Sequence, residues 1–414
     1  MLFFWKAAKK VSKTIRVNAT GCSLVDNLYG HVDFSSDIYK KFTTRNPGDG
    51  GLATGGLVFA EAFAEFAAGD YKQLLADLSS AGEPDSSNIG GPGIVPVIHA
   101  NQVKQNPDIL YRFAGVLGGD DNGRRFSELL RKTGFPSEDY SKSNLPTPST
   151  DVLSDPDFSG GRGERTFINT IGAAGAYGPE SLPDDFFDAE FLLFGGTALV
   201  PPIHDNLGRL CRRGREAGTF VMVTTVFDFR NEARLQGKPW PLVDNYSNID
   251  LLVTDREEAL KISGESTPQT AMAWFLNRGC RGVVVTQGAD EVLLGIAGDG
   301  NTGRFHPPGR RAMPTCRYAD EVVASLTKKR DTTGCGDNFV GGMIDSLAHQ
   351  LADQLADTSD AGEILNLEEA VISGIAAGSV ALTCLGGVYY EDKPGQKFNA
   401  MKPYFDAYLR ELGE

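Results

Sequence analysis

Apolar residues along the chain fall into two alternating rhythms. Phe220-Val221-Met222-Val223, Ile249-Asp250-Leu251-Leu252-Val253 and Gly282-Val283-Val284-Val285-Thr286 are short runs rich in β-branched residues. Runs of this length and composition predict buried strands. Between them the apolar period lengthens. Ile203 to Ala217 reads as a helix stopped by Gly218, which suits the left-handed residue that ends many helices. Thr267-Pro268 opens another, with an N-cap residue and then proline at the first helical position. Ala271, Met272, Trp274 and Phe275 continue it at helical spacing. Strands alternating with helices predict a parallel sheet covered on both faces. The first half is less regular. Residues 43–93 are rich in Gly, Pro, Ser and Asp, broken by an Ala/Phe-rich helix from Val58 to Ala68. Residues 140–163 read as an exposed Ser/Pro/Asp/Gly loop, and no internal repeat is found.

Length allows one large α/β domain or two ordinary ones, since the chain has 414 residues. An apolar fraction of 41% and a charged fraction of 23% suit a globular protein with a sizeable core. The net charge of −14 would repel a nucleic-acid backbone. Arg212, Arg213 and Arg215 form a solvated helix face that Glu216 follows directly. The cysteines at 22, 211, 280, 316, 335 and 384 form no C-x-x-C pair, so reduced thiols are expected. The histidines lack zinc-binding spacing. The apolar start, Met1 to Trp5, is too short for a signal core or a membrane span and runs into Lys6, Lys9 and Lys10. Residues 1–16 are read as a tail, and the expectation is a cytoplasmic protein with no membrane or nucleic-acid partner.

The segment that carries chemistry is Asp331-Thr332-Thr333-Gly334-Cys335-Gly336-Asp337-Asn338-Phe339. A helical pattern follows through Val340, Met343, Ile344, Leu347 and Leu351. The glycines therefore sit in a turn that opens a helix. The first N–H groups of a helix have no partner inside it, and small residues let an anion approach them along the favourable dipole. A carboxylate at that turn, Asp337, can take a proton from an attacking hydroxyl. On these residues alone a merely capped turn is an equal alternative.

The D-T-T-G-C-G-D-x-F pattern resembles the C-terminal signature of the ribokinase-like, or PfkB, carbohydrate kinases, with Cys335 in place of the usual alanine. The resemblance implies a ribokinase-like three-layer α/β/α sandwich, with a mostly parallel sheet and a small β-sheet lid. It also implies transfer of the γ-phosphate of ATP to a hydroxyl of a sugar-like acceptor. Asp337 is then the base, and Gly334, Cys335 and Gly336 form the anion hole. Thr333 falls beside the nucleotide, and Asp331 in a loop near a monovalent-cation (K+) site. Gly21 to Asp26 is similar to the family's N-terminal segment, in which Asp26 would accept two substrate hydroxyls. Gly90-Gly91-Pro92-Gly93 resembles its substrate-side turn, but the asparagine usual at the following helix is absent. Gly115 to Gly123 matches the block that comes next.

Phe227-Asp228-Phe229-Arg230-Asn231 is similar to a sugar-contacting strand end, which implies a substrate role for Arg230. Asp255-Arg256-Glu257-Glu258 resembles the N-x-x-E motif, with Asp255 replacing Asn. Glu258, with Asp255, would organise water around Mg2+. Read without the family, Asp-x-x-Glu is a capping box. Thr286-Gln287-Gly288 resembles a phosphate-side segment, and Ala377 and Gly378 lie in a helix like the one lining the adenine pocket. Resemblance covers Val17 to Gly387, and the expected organisation is a kinase domain over 17–390. Lid segments are expected within 25–120 and 160–178, and a C-terminal helix over 391–414. An insertion within 44–88 is expected to enlarge the lid or form a homodimer surface.

Three other readings compete. Gly48-Asp49-Gly50-Gly51-Leu52-Ala53 matches a dinucleotide fingerprint, yet the Lys40–Pro47 stretch before it is no buried strand. A nucleoside kinase, or a non-catalytic metabolite binder of the same fold, is the remaining alternative.

Overall fold

The computed structural model of the chain describes residues 14–46, 48–79, 82–161, 163–298, 304–326, 332–356, 364–384 and 386–413. Fourteen strands in two sheets organise them. In chain order they are β1 (Ile15–Gly21), β2 (Leu24–Tyr29), β3 (Leu57–Phe59), β4 (Ser86–Gly90), β5 (Ile109–Gly118), β6 (Tyr140–Ser143) and β7 (Ser149–Asp155). There follow β8 (Glu164–Thr170), β9 (Phe191–Gly195), β10 (Phe220–Thr224), β11 (Leu251–Asp255), β12 (Gly282–Thr286), β13 (Val292–Ile296) and β14 (Gly309–Met313).

The large sheet has the order β14-β13-β12-β11-β10-β9-β1-β5-β6. From β12 to β6 every neighbouring pair is parallel, and only β13 and β14 join antiparallel. Helices Ile94–Val103, Cys335–Ala356, Leu367–Ala381 and Gln396–Gly413 bury one face. Helices Leu207–Glu216, Arg256–Ser263 and Pro268–Asn277 bury the other. The result is a three-layer α/β/α sandwich. Chain order reverses at β1, with β9 on one side and β5 on the other. In open α/β sheets ligands bind outside the carboxyl ends of strands at such a switch point.

The small sheet, β3-β8-β7-β2-β4, grows out of the carboxyl end of β1. Gly21 makes the exit possible: its φ is +132° and a side chain there would strike the Gly195 carbonyl. One face of this sheet carries Tyr29, Val58, Leu153 and Ile168. Helices Asp37–Phe42, Ala60–Ala67 and Tyr71–Ser79 cover that face with Tyr39, Phe42, Phe63, Leu74, Leu75 and Leu78. Much of the 44–88 segment is therefore a helical cap on the small sheet.

The strand readings at 220–223 and 282–286 match β10 and β12, and that at 249–253 slides by two residues to Leu251–Asp255. The helix expected over 203–217 is divided into Pro201–His204 and Leu207–Glu216. That expected from Val58 begins as β3 and turns helical only at Ala60. The exposed loop expected over 140–163 is overturned, because it contains β6 and β7. Ser149 to Leu153 are all buried. Their polar groups are satisfied across strands, Asn169 Nδ2 donating to Thr150 Oγ1 at 3.0 Å and Asn27 Nδ2 to Asp151 Oδ1 at 3.0 Å. Polar composition misleads wherever neighbouring strands supply what water would. β7 also lies outside the lid segments expected at 25–120 and 160–178.

Candidate active site

Helix Cys335–Ala356 begins at the switch point, packed on helix Ile94–Val103 and against β1 and β5. The preceding Gly334 has φ +79°, and a side chain on it would overlap the Cα of Gly387. Only glycine combines that conformation with that contact. Around Gly336, by contrast, the space where a side chain would point is open. Gly378 faces the turn from helix Leu367–Ala381, where a Cβ would come within 3.1 Å of the Cys335 carbonyl. Asp337 lies in the first helical turn and is partly open to the cleft. Burial pushes its carboxyl up from an ordinary 3.8 to about 6, the range suited to a base working near neutral pH.

Opposite this turn the register of the small sheet lines up one residue from each strand. Asn88 pairs with Asp26, Asp26 with Thr150, Thr150 with Asn169 and Asn169 with Phe59. Directly paired residues share a face. The helical cap occupies the alternate residues, so this row faces the cleft. Gly90 abuts Asp26 so closely that a side chain there would collide with the carboxylate. Gly91, at φ +111°, lies against Cys22 in the same way. Asn88 Oδ1 accepts from Tyr390 Oη at 2.8 Å, tying the row to the segment after helix Leu367–Ala381, whose Gly387 lies against Gly334. Asn169 is 1% exposed, and its Oδ1 has no hydrogen-bond partner among the described residues. At the end of the row the Phe59 ring meets Phe229 edge-on, 6.4 Å between centroids, and Phe229 packs on Phe227 at 4.6 Å.

Four residues from Asn169 along β8 and on the same face, Arg165 donates from Nη1 to Thr333 Oγ1 at 2.7 Å. A guanidinium from the small sheet thus touches the residue preceding Gly334. Asp331, expected in a loop near a monovalent-cation site, lies outside the described residues.

Toward β11 and β12, Thr286, Gly288 and Asp255 line an open groove of about 340 Å3 with Arg256, Glu257, Leu260 and Gln287. Asp255 caps helix Arg256–Ser263, its Oδ1 accepting from the Glu258 N–H at 2.8 Å. Glu258 is buried and hydrogen-bonded to Thr225 Oγ1. Burial and the Asp255 charge raise its proton affinity. Two adjacent carboxyls held this way are electrostatically short of positive charge, which fits a hydrated cation nearby. Among the described residues no group of three or more potential metal ligands occurs.

Two expected contacts are placed elsewhere. Arg230 pairs with Asp205 at the surface. In the same corner Asp228 is buried against His204, at 3.2 Å. Ala377 is fully buried and its methyl lies where a side chain on Gly342 would, so it serves helix packing. Thr150, Asn169, Phe59 and Arg165 escaped the sequence reading. Neither Ser149–Asp155 nor Glu164–Thr170 alternates apolar with polar residues, and their Thr, Val, Ile and Phe content was the only strand signal they carried.

A model of the pfkB family of carbohydrate kinases matches residues 109–393. The chain is similar to aminoimidazole riboside kinase of Salmonella typhimurium, 27% identical over 283 residues, which is 67% of this chain and 77% of that protein. A probable sugar kinase from Rhizobium etli superposes with a TM-score of 0.65 at 18% identity, covering 94% of this chain and 98% of the other. Ribokinase from Thermotoga maritima does so with a TM-score of 0.57 at 20% identity, covering 96% and 99%. Among the described residues no helix is long and apolar enough to cross a membrane. With the matched segment spanning well over half its length and containing the Gly334–Asp337 turn, this chain belongs to the pfkB family of carbohydrate kinases.

Proposed function

We propose that the chain moves the γ-phosphoryl group of ATP to a hydroxyl of a ribose-type acceptor held against the small sheet, which serves as the lid of the cleft. The observation carrying this reading is the juxtaposition of a glycine-lined helix mouth bearing Asp337 with a polar row, Asn88–Asp26–Thr150–Asn169, across the cleft. Asp26 accepts from acceptor hydroxyls, and the buried, unpartnered Oδ1 of Asn169 offers a further acceptor. Asp337 takes the proton of the attacking hydroxyl. The N–H groups of the turn and the Arg165 guanidinium receive the charge that builds on the migrating group. ATP lies along the groove of Thr286 and Gly288, its phosphates reaching Thr333 and Gly334. Glu258 and Asp255 would hold a hydrated Mg2+ ion, which would neutralise phosphate charge when bound. Most of the rate gain is positioning and preorganised charge.

The aromatic end of the row favours a riboside over a free sugar. Phe59, Phe227 and Phe229 offer an apolar wall one residue beyond Asn169, suited to a planar base. The similarity to a riboside kinase points the same way. The test is ADP release with Mg·ATP across ribose, other sugars, adenosine and aminoimidazole riboside. Acceptor-dependent release that Asp337→Asn abolishes supports the reading. ATP binding without acceptor-dependent release from any of these would overturn it.

A further inference from the structure

Behind the anion-hole turn lies a buried polar cluster that phosphoryl transfer as described does not use. Lys397 is the second residue of helix Gln396–Gly413 and is 2% exposed. A cation in the first turn of a helix opposes the helix dipole, and burial costs it hydration. Its place is therefore held by specific partners. Nζ donates to Asn338 Oδ1 at 2.9 Å and to Gln102 Oε1 at 3.1 Å.

An ammonium can only donate. Both amides must therefore turn their oxygens to Lys397 and their NH2 groups away. Asn338 Nδ2 accordingly donates to the Gly334 carbonyl at 2.7 Å and the Gly387 carbonyl at 2.8 Å. Gln102 Nε2 donates to the Tyr389 carbonyl at 2.8 Å. His99 Nδ1 supplies a second donor to Asn338 Oδ1 at 2.8 Å, which leaves its buried Nε2 as a bare acceptor. The Gly334 carbonyl belongs to the same peptide unit as the Cys335 N–H. Fixing that carbonyl fixes the plane of the anion-hole turn.

We propose that Lys397 is a positioning residue for phosphoryl transfer, orienting the Gly334–Asp337 turn through the Asn338 amide and holding a positive charge behind the anion hole. The inference rests on the kinase reading of that turn. A neutral donor could satisfy the same amides at a far lower cost of burial, so the charge itself has a use: it adds favourable potential where the migrating phosphoryl group becomes most negative. The groups facing Lys397 are His99 from helix Ile94–Val103, Cys384 after helix Leu367–Ala381 and Glu391, whose Oε1 accepts from the Lys397 backbone N–H at 2.7 Å. Burial pushes the ammonium down to about 7, and His99 is held neutral by burial and by Lys397. The cation is thus lost as pH rises through about 7 in the ligand-free protein, and kcat/KM, which reports free-enzyme groups, should fall with it.

The test compares the full-length protein with Lys397→Gln and Lys397→Met. Melting temperature, turnover across the acceptor panel, and the ratio of Mg·ATP to Mg·ADP affinity by calorimetry are measured. The expected result for Lys397→Gln is a kcat reduced about tenfold or more, with KM for ATP within about threefold and the melting temperature within a few degrees. The alkaline limb of kcat/KM near pH 7 should vanish, and preference for ATP over ADP should drop several-fold. Unchanged kcat and pH profile would overturn the proposal. So would a parallel loss of melting temperature, ADP affinity and turnover in both variants, which marks a purely structural lysine. If the wild type turns over no acceptor, the kinase reading fails by itself. The ATP-to-ADP ratio then decides the placed charge: a drop in Lys397→Gln supports it and no change refutes it.

Discussion

Replacing Asp337 by Asn should make the protein more stable while nearly abolishing its turnover, and both effects follow from one number. Burial raises the carboxyl from 3.8 to about 6. Because the folded state holds this proton more tightly than the unfolded chain, the stabilising protonated form is fully present below pH 3.8 and is lost as pH rises to about 6. About two pH units at 1.36 kcal/mol each gives roughly 3 kcal/mol of destabilisation at pH 7.5. Access of cleft water trims this to about 1–3 kcal/mol. Asn is neutral throughout and escapes the cost. For a chain of this length that is a rise of about 1–4 °C in melting temperature. The gain should shrink toward zero in scans near pH 4. Removing the base should lower kcat about 10²–10⁴-fold. The wild type should lose kcat/KM tenfold per pH unit below about 6, and the variant should lack that acid limb. Calorimetric scans at pH 4 and 7.5, with initial rates between pH 5 and 8, measure all of this. A variant that is less stable at pH 7.5, or that keeps near-wild-type turnover, refutes the argument.

Gly90→Ala drives a methyl into the Asp26 carboxylate; KM for the acceptor should rise about 10- to 100-fold, the worth of a charged hydrogen bond, with KM for ATP unchanged in steady-state assays. Arg165→Met removes the donor to Thr333 and should lower kcat at least about tenfold at constant melting temperature. Asn169→Leu should discriminate against the most hydroxylated acceptors by about 1–3 kcal/mol in relative kcat/KM, since its Oδ1 waits for a donor. At the amino end of β11 Asp250 is 0% exposed and pairs with Arg215, Arg281 and Arg304. Asp250→Ala strands these cations and should cost about 3–5 kcal/mol in denaturant unfolding without altering KM of the residual native fraction.

What could be read from the sequence was whatever one short segment encodes alone. The Gly334–Asp337 turn is of that kind, since a left-handed glycine, an open helix mouth and a carboxylate are successive demands on successive residues. The buried strands of the large sheet are too, because β10 to β12 are covered on both faces and so carry three or four successive apolar residues before a polar end. The acceptor platform is of the other kind. Each of its five members comes from a different strand, and each is ordinary in its own neighbourhood. Ser149–Asp155 looked like a loop because its polar side chains are satisfied by Asn27, Tyr71 and Asn169, more than a dozen residues away. The Lys397 cluster draws on residues 99, 102, 338 and 397 and has no linear trace at all.

This division has a physical consequence for how the site can vary. The turn tolerates little change, because Gly334 lies against Gly387 and Gly378 against Cys335. Its geometry is set by backbone contacts that any side chain would break. The row on the small sheet is bounded differently. Its outer face is packed by the helical cap, whereas Thr150, Asn169 and Phe59 lie on the opposite face, apart from the apolar cluster that holds the strands. The two halves meet where Tyr390 reaches Asn88 and where Arg165 reaches Thr333. Both contacts cross the cleft, so placement of the acceptor row and placement of the phosphate-binding turn are coupled mechanically. Arg165 and Thr333 are in contact without any ligand, so a displacement of the small sheet is felt directly at the residue preceding the Gly334–Asp337 turn.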